Sequence, residues 1–205
     1  TTRKQFLFIL TLYLLAFALA SLIGSDSQSL KYVVPFSVLA IYLSLFFKRS
    51  FVFAVYTVML IPILFIVESG AEIFFMNLCG GIVSIVSFRY FNRGWMQFLN
   101  SFIAFVAMLT IHIAMALMTE DSNIYIVVEQ SFAIAFNSLL IVACYPIVFL
   151  FERIFSLVSQ SRLLELSDTN NKLLRELATK APGTFQHSLQ VSNLASDAAA
   201  QIGAD

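Results

Sequence analysis

Charge is what this chain has least of. Twelve Lys or Arg and twelve Asp or Glu among 205 residues cancel to a net charge of zero. The charged share is 12%, where a soluble domain carries about a quarter. With neither sign in excess, nothing draws the chain to a nucleic acid polymer, which is not expected as a partner. Cysteine is nearly absent too: Cys79 and Cys144 stand far apart in apolar runs. A disulfide framework is therefore excluded, and both read as small buried side chains. There are only two histidines, His112 and His187, and neither lies near a cluster of carboxylates or cysteines that could complete a metal site by spacing. What the chain has in abundance is hydrocarbon: 60% of residues are hydrophobic and the mean hydropathy is +0.87. This composition defines a membrane protein whose main partner is the lipid bilayer.

The apolar residues fall into about six runs, each approaching the length that crosses a bilayer as a helix. They are Gln5 to Ile23, Tyr32 to Phe47, Phe51 to Val67, Ile73 to Phe88, Trp95 to Met118 and Ile124 to Phe151. The first also has the basic, apolar and small-residue order of a signal peptide, with Arg3-Lys4 ahead and Ala18-Leu19-Ala20 behind. Pro35, Pro62 and Pro146 lie inside runs, where neighbouring helices can satisfy the carbonyls that proline leaves free. Gly80-Gly81 offers a flat surface on which another helix can come close.

Polar residues inside such runs are candidates for function. His112 is the one ionisable group well inside a run, and no acidic partner is expected at its depth, so a neutral ring bonded to a neighbouring helix is the plainer reading. Asn137 lies mid-run. Glu129 reads either as a ligand-sensing carboxylate or as a solvated residue near the interface. Arg3-Lys4, Lys48-Arg49, Arg89 with Arg93, and Arg153 with Arg162 fall on alternate turns, and Asp26, Glu68, Glu72, Glu120 and Asp121 fall on the others. The basic side is expected to be cytoplasmic, with both ends of the chain on it.

From residue 152 the composition changes. Leu157, Leu163, Leu164, Leu166, Leu173, Leu174 and Leu177 are set among Ser, Glu, Lys and Arg, the pattern of two amphipathic helices broken at Ser167 to Asn171. Such a connector can transmit motion, pair two subunits into a homodimer, or serve only as a packing surface. Pro182-Gly183 then makes a turn, and Thr184 is expected to cap a helix on which His187, Val191, Leu194, Ala198 and Ile202 share one buried stripe, with Gly203 ending it. By itself His187 reads more readily as a hydrogen-bonded core residue than as a metal ligand.

The wording around His187 is more specific. Leu163-Leu164-Glu165-Leu166-Ser167, Leu173-Leu174-Arg175-Glu176-Leu177, Lys180-Ala181-Pro182-Gly183-Thr184-Phe185-Gln186-His187-Ser188-Leu189 and Asn193-Leu194-Ala195 before Ile202-Gly203-Ala204 closely resemble one bacterial family. That family is the multi-span membrane receptors with an intracellular HD hydrolase domain, which includes the membrane-bound cyclic di-AMP phosphodiesterases. In the HD fold a His followed by Ser, a His-Asp pair on a later helix and a distant Asp together bind metal. His187 matches the first of these ligands; the others have no match before Asp205. Two departures stand out: the family often reads His-His-Ser where this chain has Gln186-His187-Ser188, and often has prolines at Asp168 to Asn171.

The resemblance implies an all-α protein in three parts. A membrane helix bundle occupies 1–151, a cytoplasmic helical linker 152–180 and the start of an HD domain 181–205. It implies a bacterial cell membrane, a phosphodiesterase acting on a cyclic dinucleotide, and a two-metal site holding a divalent metal, manganese or iron. This portion alone would be inactive. It also implies a large extracellular domain ahead of the helices, which requires an odd number of crossings; a missed span, a re-entrant segment or an inverted first helix would reconcile that with the basic turns. The reading from another class is a transporter or channel, which predicts paired interrupted helices in the two halves. No such symmetry relates Gln5–Val67 to Ile73–Phe151.

Overall fold

The computed structural model describes residues 3–23, 30–88, 96–118, 123–155 and 171–203. Among them every regular element is helical and no strand occurs. The helices form two compact units, Thr1–Ser159 and Gln160–Asp205.

In the first unit, α1 (Arg3–Ile23), α4 (Arg49–Ile66), α5 (Gly70–Phe88), α6 (Met96–Met118) and α7 (Ile124–Ala143) are each long and apolar enough to cross a membrane. The second apolar run is divided into α2 (Leu30–Val33) and α3 (Ser37–Phe46) by an irregular segment at Val34 to Phe36. Pro35 has no N–H to continue the ladder, and its fixed ring excludes the preceding residue from helical geometry. The sixth run is not continuous to Phe151, as its composition suggests. Instead α7 stops at Ala143, a turn comes next at Cys144 to Pro146, and α8 (Ile147–Phe155) resumes beyond it. Pro146 is again the reason. Pro62, by contrast, stays within α4.

The bundle is arranged inside out relative to a soluble core. Asn77, Ser84, Asn100, Ser101, His112 and Asn137 are buried, while Phe65, Leu22, Leu117 and Phe132 are exposed. Such an apolar skin is stable only against lipid, and the chain is accordingly a multi-pass membrane protein. Helix association in lipid rests on close packing and interhelical hydrogen bonds, because leaving the lipid gains apolar groups little. Gly80 and Gly81 provide the packing. A Cβ on Gly80 would lie 2.7 Å from Met108 Cγ of α6, and one on Gly81 would enter the Tyr56 ring of α4. Tyr56, fully buried, donates to the Asn77 carbonyl at 2.7 Å.

Contact between α5 and α6 follows one stripe on each. Ser87, Gly80 and Glu72 on α5 meet Asn100, Met108 and His112 on α6, in antiparallel order. At one end Ser87 Oγ donates to Asn100 Oδ1, and at the other Glu72 pairs with His112. Ser101 of α6 reaches α7 by donating to the Ser138 carbonyl. Opposite the Glu72 end, the Phe8 ring of α1 meets Phe46 at 5.1 Å, Phe151 at 5.5 Å and Phe155 at 5.3 Å, all edge to face. The first helix therefore starts at the end where α3 and α8 finish, so it is not inverted relative to the later spans.

In the second unit, α9 (Lys172–Lys180) is capped by Asn171, whose Oδ1 accepts from Leu173 N at 3.2 Å. Helix α10 (Pro182–Gln201) starts two residues before the expected Thr184 cap, because proline at the first helical position has a preset φ and no N–H to lose. Gly203 ends it with φ +67°. The stripe below His187 is not buried within this chain: Val191, Leu194 and Ile202 are all more than half exposed, and α10 has no buried residue. Residues 156–170, which hold the first of the two expected linker helices, lie outside the described residues.

Candidate functional site in the transmembrane bundle

Tyr32 joins two of the polar residues singled out in the sequence. Its ring stands edge-on to the His112 imidazole at 5.3 Å, and its hydroxyl donates to Glu72 Oε2 at 3.0 Å. Its carbonyl accepts from Asn137 Nδ2 at 2.9 Å. The same amide donates to the Val34 carbonyl, also at 2.9 Å. Asn137, fully buried, thus satisfies two carbonyls beside the Pro35 break and clasps α7 to the broken second run. The other break is treated similarly: Tyr42 OH donates at 2.8 Å to the carbonyl of Cys144, in the turn ahead of Pro146. Neither half-buried cysteine forms a disulfide.

His112 does have an acidic partner, contrary to expectation. Its Nδ1 lies 2.7 Å from Glu72 Oε1, and Nε2 lies 3.4 Å from the Val127 carbonyl of α7. Glu72 reads in the sequence as part of an acidic turn, but α5 begins at Gly70 and carries Glu72 in its first turn. Two helical steps of four take it to Gly80 and a third to Ser84, on the face toward α6 and α3. That small and polar stripe is visible in the sequence and is the signal that marks Glu72 as inward-facing. Lys31 and Tyr32 escape sequence reasoning because they look like the polar border of a span; both are buried. Glu129 is exposed on α7.

These groups line a cavity of about 300 Å³ whose wall includes Lys31, Tyr32, Glu72, His112 and Asn123. One side is charged or polar, and the other is the hydrocarbon of Met115, Ala116, Ile126 and Val127. Grooves between α1 and α4 are by contrast almost wholly apolar and open, as expected of a lipid-facing seam.

His187 belongs to the second unit. It is exposed in the second turn of α10, ahead of Ser188, whose Oγ donates to the Thr184 carbonyl at 2.9 Å. Among the described residues no three of His, Cys, Asp or Glu converge as a metal site would require. One imidazole does not make a metal centre, so no chemical step can be drawn through a metal from the residues present.

Broken spans and a polar cluster within an apolar bundle define a polytopic membrane protein. The family model described as "7TM receptor with intracellular HD hydrolase" matches residues 1–159, and the chain belongs to that family. It is 33% identical over 141 residues, 67% of its length, to the cyclic-di-AMP phosphodiesterase PgpH of Listeria monocytogenes, of which it covers 19%. To PgpH of Bacillus subtilis it is 44% identical over 69 residues, 34% of this chain and 9% of that protein. An uncharacterized protein of Synechocystis is 53% identical over 51 residues, 25% of this chain and 6% of that one. The chain thus spans a fifth or less of the curated relatives it matches. No solved structure matches it.

Proposed function

We propose that this chain is the membrane and linker part of a metal-dependent HD-domain phosphodiesterase that hydrolyses a cyclic dinucleotide, cyclic di-AMP. The observation that carries the reading is the likeness to two relatives named for that activity, joined to the His187-Ser188 pair at the head of α10. On this reading residues 1–151 anchor the enzyme and sense for it, 152–180 link, and 181–205 open the HD domain. The bundle sits in the bacterial cytoplasmic membrane with the Arg153 end inward, by the distribution of basic turns.

His187 supplies one ligand to a divalent metal, manganese or iron, and further HD-domain sequence supplies the rest. Its exposure leaves the ring free to face ligands from elsewhere. When bound, a two-metal centre polarises the phosphodiester and activates water. The apolar stripe of Val191, Leu194 and Ile202 gives the rest of such a domain a surface to cover.

The test is cyclic di-AMP hydrolysis by the full-length protein in lipid, with manganese, comparing the native protein with His187→Ala. Losing a first ligand should cost about 100-fold or more in rate, at least what loss of a supporting residue costs a metal site. Hydrolysis unaffected by the substitution removes His187 from the mechanism. No hydrolysis by the native protein removes the substrate.

A further inference from the structure

Lys31 is 7% exposed, yet its described hydrogen bonds are two long ones, 3.5 Å to the Glu68 carbonyl and 3.4 Å to Ser69 Oγ. It also lies 5.7 Å from the Tyr32 ring centre. Among the described residues no carboxylate is within ion-pair distance of it. The nearest acid in the cavity, Glu72, is engaged on both oxygens, by Tyr32 and by His112. His112 is likewise occupied, its two ring nitrogens lying against the Glu72 carboxylate and the Val127 carbonyl.

A buried ammonium with no counterion among the described residues is costly, and an anion in the cavity would offset that cost. Helix geometry favours the same sign. The cavity includes Ser69, which precedes the first residue of α5, and Asn123, which caps α7. Both helices thus present the positive end of their dipole there. The opposite wall is hydrocarbon, from Met115, Ala116, Ile126 and Val127, which a bare inorganic ion would leave unused. Its size, about 300 Å³, is at the small end for ligand sites.

We propose that this cavity is a binding site for a small organic carboxylate, its head held by Lys31 Nζ and its short hydrocarbon body set against Met115 and Ala116. The site gives the sensing role a chemical class of ligand. It rests on the hydrolase reading only for that consequence, since binding is measured without catalysis.

The experiment is thermal melting of the full-length protein in lipid nanodiscs with acetate, butyrate, succinate or inorganic phosphate, each against sodium chloride at equal ionic strength. A saturable rise in Tm is expected with butyrate or succinate and a weaker one with acetate. Lys31→Gln should weaken the apparent affinity about tenfold or more, the scale of one charge-assisted hydrogen bond. Ala116→Leu keeps every charge and fills the cavity, so it should abolish the response, and it decides the matter should Lys31→Gln fail to fold. The proposal is overturned if no carboxylate acts beyond chloride, if phosphate acts as well as butyrate, or if Ala116→Leu responds like the native protein. A protein that binds butyrate yet hydrolyses nothing keeps this inference and loses the other.

Discussion

The two ends of the bundle are held by different physics. At one, Tyr32, Glu72, His112 and Asn137 tie α2, α5, α6 and α7 through hydrogen bonds of 2.7 to 3.0 Å. At the other, Phe8, Phe46, Phe151 and Phe155 gather α1, α3 and α8 by ring packing. In lipid a phenyl ring that loses its neighbour finds acyl chains instead, whereas an amide or carboxylate finds nothing. The polar end is therefore the more specific, and the aromatic end the more forgiving.

Breaking the polar end at Asn137 should have the largest effect. Asn137→Leu strips the Tyr32 carbonyl of its side-chain donor and leaves the Val34 carbonyl only the Phe36 N–H, and unfolding in detergent should show a loss of about 2 kcal/mol, the scale of orphaning a buried polar group. Next comes the contact of Glu72 with His112. A double-mutant cycle of Glu72→Gln and His112→Phe should give a coupling of about 1 kcal/mol, near the upper range for polar contacts between membrane helices. A coupling indistinguishable from zero would mean the pair contributes nothing to holding α5 against α6. Smallest is Phe8→Leu at the aromatic end, expected to cost about 0.5 kcal/mol because leucine keeps most of the apolar contact and loses only edge-to-face geometry. A larger loss there than at Asn137 would reverse the comparison.

The spans are readily legible in the sequence, because composition and run length are one-dimensional properties. The prolines also announce where runs can break, yet Pro62 lies within α4 while Pro35 and Pro146 interrupt. What separates them includes partners distant in the chain: Asn137 lies more than a hundred residues from Tyr32, and Tyr42 as far from Cys144. The pairing of His112 with Glu72 is hidden for the same reason, spanning 40 residues, and because an acid two residues into a helix looks like part of the preceding turn. Asn137 is conspicuous for its polarity, but its amide is spent on backbone carbonyls. For His187 the helix can be read and its covering surface cannot, since nothing described in this chain lies over the stripe.

The interruption at Cys144 to Pro146 governs how the last span is joined to α8. An unbroken helix would deliver rotation and thrust along its axis like a shaft. Here the shaft has a knuckle, braced from the side by the Tyr42 hydroxyl. A push along α7 would therefore not be handed to α8 along one unbroken axis, and the bond from Tyr42 ties the joint to α3.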